Sequence, residues 1–190
     1  MKCLLTVVCF FISFTLFAQK QNAKPFTADI SVCNIYLEDE RTTTKILGRD
    51  IWNKHFEADS MLPRIECVNK SGTQGLRLLF HYGGTKNAVA QFELFEIKKG
   101  YKKPAKAVVF QNCDFKSGNK IMLGMDRQRL ISIIGKNFKS SRKKNVEQIR
   151  YYTNDANAEI LKKYDAVGYF IECRFKNNKL VNYSFGFEYP

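Results

Sequence analysis

Histidine is scarce in this chain: His55 and His81 are the only two among 190 residues, alongside one tryptophan and four prolines. Most acid–base, nucleophilic and metal chemistry leans on imidazole, so little room is left for it. No G-x-S-x-G elbow, no G-x-x-x-x-G-K-[ST] phosphate loop and no C-x-x-C pair occurs, which disfavours a serine hydrolase, a nucleotide cradle, a zinc site and a thiol redox site. His81, in LRLLFHYGG, reads as a residue capping a turn. A hydrolase built on His81, with Cys67 beside it if that thiol is free, is the weakest functional reading. Acidic residues are also few, 18 against 31 Lys and Arg. Glu38, Asp39 and Glu40 cluster at a helix start, where they suit the helix dipole, and no second carboxylate group pairs with them for glycoside chemistry. The expectation is a non-enzyme with no catalytic residue, cofactor or metal.

Long apolar runs are missing except at the beginning. Lys2 supplies a positive start, Cys3 to Phe17 an apolar run, and Ala18 a small residue at the expected cut before Gln19. This is a secretory signal pattern, and the run falls short of the roughly 20 residues a spanning helix needs. Cys9 lies inside the run, so it does not read as a lipid-attachment site. The mature chain is expected to be secreted or periplasmic, without a transmembrane segment. It would keep 172 residues and a net charge of +12, against +13 for the full chain.

That charge favours acidic partners and also keeps a protein soluble. Four cysteines remain after the signal: Cys33, Cys67, Cys113 and Cys173. An even number in an oxidising compartment permits two disulfides in three pairings. Cys173 alternates with Ile171 and Phe175 along one strand face, as a buried thiol also would.

Residues 19–29 are polar and aperiodic and read as a flexible leading segment. A first unit, 30–97, opens with a strand through Ile30, Val32, Ile35 and Leu37. A helix from Asp39 to Leu47, stopped by Gly48, comes next. Strand-like runs RIECVN, LRLLFHY and AVAQFELFEI follow, separated by Gly- and Asn-bearing turns. Residues 98–120 form a lysine-rich connector containing an apolar run, AVVFQNC. A second unit, 121–190, repeats the order. IMLGMDRQRLISIIG gives a helix with Asp126 as N-cap and Gly135 as stop. EQIRYY, VGYFIECRFK and LVNYSFGFEY give strands, the last two joined by Asn177 and Asn178. The two helix stops lie 87 residues apart. The expected fold class is therefore α+β, as two tandem units of a short helix and a three-stranded antiparallel sheet. Neither unit can bury both sheet sides, so the pair shares a core or joins into a longer sheet.

The stretch LGMDRQRLISIIG resembles the helical signature of the BamE/SmpA-like and β-lactamase-inhibitor-protein-like (BLIP) families. Leu123, Gly124, Met125, Ile134 and Gly135 carry the likeness, with Asp126 in place of the usual hydroxyl cap. YFIECRFKNNKLVNYSF is similar to the closing hairpin of those proteins. The resemblance covers about seventy residues. In the first unit Glu38 and Asp39 stand where Gly and Met would be expected. It implies a small α+β unit in an exported binding protein; no binding residue transfers, and the lipid-attachment cysteine of the assembly lipoproteins has no counterpart.

Two kinds of surface are candidates for function. One is basic: Lys98, Lys99, Lys102, Lys103 and Lys106 in the connector, and Arg142, Lys143 and Lys144 after the second helix. The other is aromatic: Tyr183, Phe185, Phe187 and Tyr189 alternate along the last strand, as sheet core or as an exposed face that anchors a partner. The expected function is an exported, non-enzymatic binding, inhibitory or scaffold protein acting on a protein partner. The alternative is an envelope-associated protein holding anionic lipid or glycan through its basic loops. Nucleic acid is disfavoured by the exported location.

Overall fold

The computed structural model describes residues 26–55, 63–81, 87–111 and 114–188. β1 (Ser31–Val32) and β2 (Ile35–Tyr36) form a small hairpin turned by Cys33 and Asn34, both at positive φ. α1 (Glu40–Leu47) starts at Asp39, whose carboxylate accepts from the Arg41 and Thr42 N–H groups, and stops at Gly48. This satisfies donors a helix start would otherwise leave orphaned. α2 (Ile51–His55) is one short turn. β3 (Arg64–Asn69), β4 (Gln74–Leu79) and β5 (Gln91–Glu96) run as an antiparallel meander. β6 (Val108–Phe110) then comes back parallel to β3. α3 (Arg127–Ile134) precedes β7 (Lys139–Lys143) and β8 (Val146–Thr153). α4 (Glu159–Tyr164) leads to β9 (Gly168–Lys176) and β10 (Lys179–Glu188).

These strands do not form two three-stranded units. One eight-stranded sheet runs in the order β6-β3-β4-β5-β10-β9-β8-β7, with β1-β2 as a separate pair, so the protein is mostly β. Three physical causes account for the difference. The last strands of the two halves, β5 and β10, pair from Asn182↔Phe95 to Gly186↔Gln91. Both put apolar side chains on the same face, Phe92 and Leu94 beside Tyr183 and Phe185, so joining buries them together. The connector supplies β6. Finally, β7 is a strand of sequence KSSRK, exposed at every position, whose lack of apolar alternation hides it.

A single layer covers one face of the sheet. Leu130 and Ile134 of α3 and Leu161 of α4 are buried in the same core as Ile65, Leu76, Phe92, Tyr183, Ile171 and Ile149. Phe26 meets Tyr151 at a tilt, 5.5 Å away, and stacks on Tyr169 at 6.0 Å, and Tyr164 meets Phe187 at 5.0 Å. Asp29 ties this layer to the sheet from a position only 1% exposed. Its carboxylate accepts from the Tyr183 hydroxyl at 3.0 Å and from the Ile30 and Asn119 amides. The Tyr169 hydroxyl donates to its carbonyl and accepts from its amide. Burial pushes the Asp29 carboxyl above the usual range, against the hydrogen bonds from Ser117, Tyr183, Asn119 and Ile30.

Asp126 begins α3, but its side chain makes no capping hydrogen bond; it is turned to Lys179 Nζ at 2.9 Å. Cys33 is disulfide-bonded, whereas Cys67 and Cys173 are free and buried, which removes the two-bridge expectation. Cys113 lies outside the described residues, although the Asp114 carbonyl next to it in sequence lies 3.9 Å from Cys33 Sγ.

Candidate functional site

The aromatic stripe of β10 does not offer a surface. Tyr183, Phe185 and Phe187 are fully buried beneath the helical layer, because their face is the one that α4 and the Asp29 network cover. Tyr189 lies outside the described residues. Among the described residues the opposite face, on the alternate positions of the same strands, is closed at β3, where Glu66 is buried, and open toward β8, where Arg150 and Tyr152 are exposed.

That face carries one cross-strand row. Register places Glu66 opposite Arg77, Arg77 opposite Glu93 and Glu93 opposite Ser184. Beyond β10, Ser184 faces Glu172, Glu172 faces Arg150 and Arg150 faces Lys139. Seven strands thus contribute one residue each; acid and base alternate from Glu66 to Glu93, and beyond Ser184 the acidic Glu172 is followed by two cations, Arg150 and Lys139. Arg77 bridges Glu66 at 3.1 Å and Glu93 at 2.9 Å while its guanidinium lies 4.2 Å over the Phe95 ring. Arg150 reaches Glu188 and, at 3.9 Å, Glu172, with the Tyr152 and Phe170 rings each about 5.5 Å from it. Asn182 donates to the second oxygen of Glu93 at 2.8 Å, across the β5–β10 seam.

The floor at that seam is small. A Cβ on Gly186, at φ 152°, would stand 2.4 Å from the Ala90 carbonyl and 2.6 Å from Gln91 Cα. Only glycine permits this approach. The Gly75 position is filled instead by the Phe95 ring, 2.1 Å from where a Cβ would be. Tyr101 packs on Phe95 at 5.9 Å, which brings the connector over the β4–β5 end of the face.

The row and its partners are electrically balanced: Glu66, Glu93, Glu172 and Glu188 against Arg77, Arg150, Arg174 and Lys139. Glu93 and Glu172 are each held by arginine. The exposed features are Tyr152, Arg150 and Arg174, at 46%, 41% and 50%. Arginine set between aromatic rings, with small polar residues between, is the chemistry of a protein-binding surface.

The remaining candidates sit elsewhere. Lys98, Lys99, Lys102, Lys103 and Lys106 are all exposed, and so are Arg142, Lys143 and Lys144. The carbonyl of Lys106 accepts from or faces His55 Nδ1 at 2.9 Å, a structural contact. Cys67 is fully buried and its thiol is pushed up by burial, so no thiolate forms. It pairs with Leu76, five positions before His81 and on the order of 15 Å from it along a strand. The two do not make a catalytic pair. Among the described residues no group of three His, Cys, Asp or Glu could hold a metal ion, and no helix is long and apolar enough to cross a membrane.

Sequence reading missed Glu66, Arg77, Glu93, Ser184 and Glu172. The available signal was a charged residue at the alternate, polar position of each strand-like run. No family model matches the chain, and neither the curated proteins nor the solved structures return a match.

Proposed function

We propose that the chain is an exported, non-enzymatic binding protein that holds a protein partner against the open face of its sheet. The observation that carries this reading is the part of the row left open among the described residues, from Glu93 to Lys139, with Arg150, Tyr152 and Phe170 at its exposed end. That part of the row crosses four strand spacings, roughly 19 Å, and the strands extend it by about 20 Å. A footprint of that order is about half of the roughly 800 Å² each partner gives to a stable interface, which fits a small or transient contact. The likeness of Leu123–Gly135 to exported binding proteins points the same way.

The test places a photo-crosslinking residue at Tyr152 or Ser184, on the open face, and at Ile46, exposed on α1. Each chain is then exposed to the envelope and secreted proteins of its source. The expected outcome is one discrete adduct from Tyr152 and Ser184 that is missing from Ile46 and is weakened by Arg150→Ala. Adducts of equal yield from all three positions would refute the assignment.

A further inference from the structure

The lysines that sequence separates into distant clusters are gathered by the sheet register at one end of the molecule. Lys143 pairs with Val146, Val146 with Lys176, and Lys176 with Lys179. On the other side of the β5–β10 seam, Asn182 pairs with Phe95 and Glu96 with Gln74. The turns at 70–73, 98–100, 144–145 and 177–178 therefore emerge side by side. Lys70, Lys98, Lys99, Lys143, Lys144 and Lys176 are exposed there, and none forms an ion pair among the described residues. The opposite end carries Asp155, Asp165 and Glu188. From the β3–β4 turn to the β7–β8 turn is five strand spacings, roughly 24 Å.

We propose that this end of the sheet binds a linear acidic polysaccharide, with the lysines pairing its carboxylate or sulfate groups. The site is separate from the open face, whose charges cancel. Three observations select this occupant. The lysines form a row one sheet thick, which a polymer contacts turn after turn and a planar lipid array touches along a single line. The turns hold Lys, Asn, Ser, Gly and Thr, with no large apolar side chain to enter an acyl layer and no free aromatic to stack on a base. Between the two hairpin tips lies a cleft of about 380 Å³ lined by Arg142, Asn145, Asn177 and Asn178, with Glu147 and Phe175. Those amides are donors and acceptors suited to sugar hydroxyls placed between the charged groups.

The experiment measures binding of fluorescent dextran sulfate to the mature chain, with neutral dextran as the blank, at about 50 mM and about 300 mM salt. Two charge-matched variants are compared. One carries Lys98→Glu, Lys99→Glu, Lys143→Glu and Lys144→Glu. The other carries Lys45→Glu on α1, Arg49→Glu in the turn after it, and Lys162→Glu and Lys163→Glu on α4, away from the row. Expected are loss of affinity by about tenfold or more in the first variant, a much smaller loss in the second, and weakening with salt. The two halves of the first variant, Lys98/Lys99 and Lys143/Lys144, should each weaken binding, and fragments shorter than the row should bind less well. Equal losses in the two charge-matched variants would show net charge alone at work and overturn the site. So would tighter binding to vesicles of anionic phospholipid than to dextran sulfate, or an effect confined to one half of the row.

Discussion

Replacing Asp29 separates the two jobs its carboxylate performs in the core, accepting hydrogen bonds and bearing a buried charge. In Asp29→Ala the Tyr183 hydroxyl and the Ile30 and Asn119 amides lose their acceptor. Each buried donor left unpaired costs about 1–3 kcal/mol. Relief of the buried charge offsets part of the total, so the net loss should be about 3–5 kcal/mol, or roughly 10 °C in melting temperature for a chain of this size. Asp29→Asn keeps an oxygen for the two amides, and its NH₂ can donate to the Tyr183 hydroxyl, which turns to accept. Because burial raises the native carboxyl above its unfolded value, the native state holds the proton more tightly. The wild type then keeps its full stability below the unfolded pKa, near 4, and loses some as pH rises through the folded value. Each unit of elevation is worth about 1.4 kcal/mol. Urea unfolding of both chains between pH 4 and pH 8 checks this. Asp29→Asn should lie close to wild type at pH 4 and gain on it steadily above. A difference that stays flat with pH, or a loss of several kcal/mol at pH 7.5, would refute the account.

Gly186→Ala should destabilise by about 2–4 kcal/mol in the same assay, since its Cβ meets the Ala90 carbonyl and parts β5 from β10. Arg77→Met should cost about 3 kcal/mol by stranding Glu66, 2% exposed; adding Glu66→Gln should restore most of it, and a double variant no better than the single would contradict that. Peptide mapping without reductant should return Cys33 in a disulfide-linked peptide, with Cys113 as its expected mate. Cys67 and Cys173 should label with iodoacetamide only after denaturation, and labelling in the native state would contradict their burial.

Helix limits were legible because local chemistry sets them: Asp39 and Gly48 bound α1, and Gly135 ends α3. The period of two in β10 was legible as well, and it gave two faces without saying which one the helices cover. Tyr183 and Ser184 are neighbours in sequence, and only the packed layer sends one to the core and the other to the surface. The row across Ser184 depends on register between strands far apart in the chain, which periodicity does not contain. β7 was invisible because an edge strand facing water on both sides has no apolar rhythm. Its lysines instead deter pairing with another chain.

Pairing between β5 and β10 joins residues 87 to 95 positions apart, and the contacts Asn182–Glu93 and Gln91–Phe187 span 89 and 96. The strand at the middle of the sheet is therefore synthesised after every strand it joins. Until it arrives, the first half has an open edge at β5 and the second an open edge at β9, each lined with apolar side chains. A stop codon shortly before Lys179 would remove β10 and leave two long unpaired edges facing each other. The product should accumulate as aggregate or be degraded. Joining of the two halves is thus a late event that waits on the ten residues of β10.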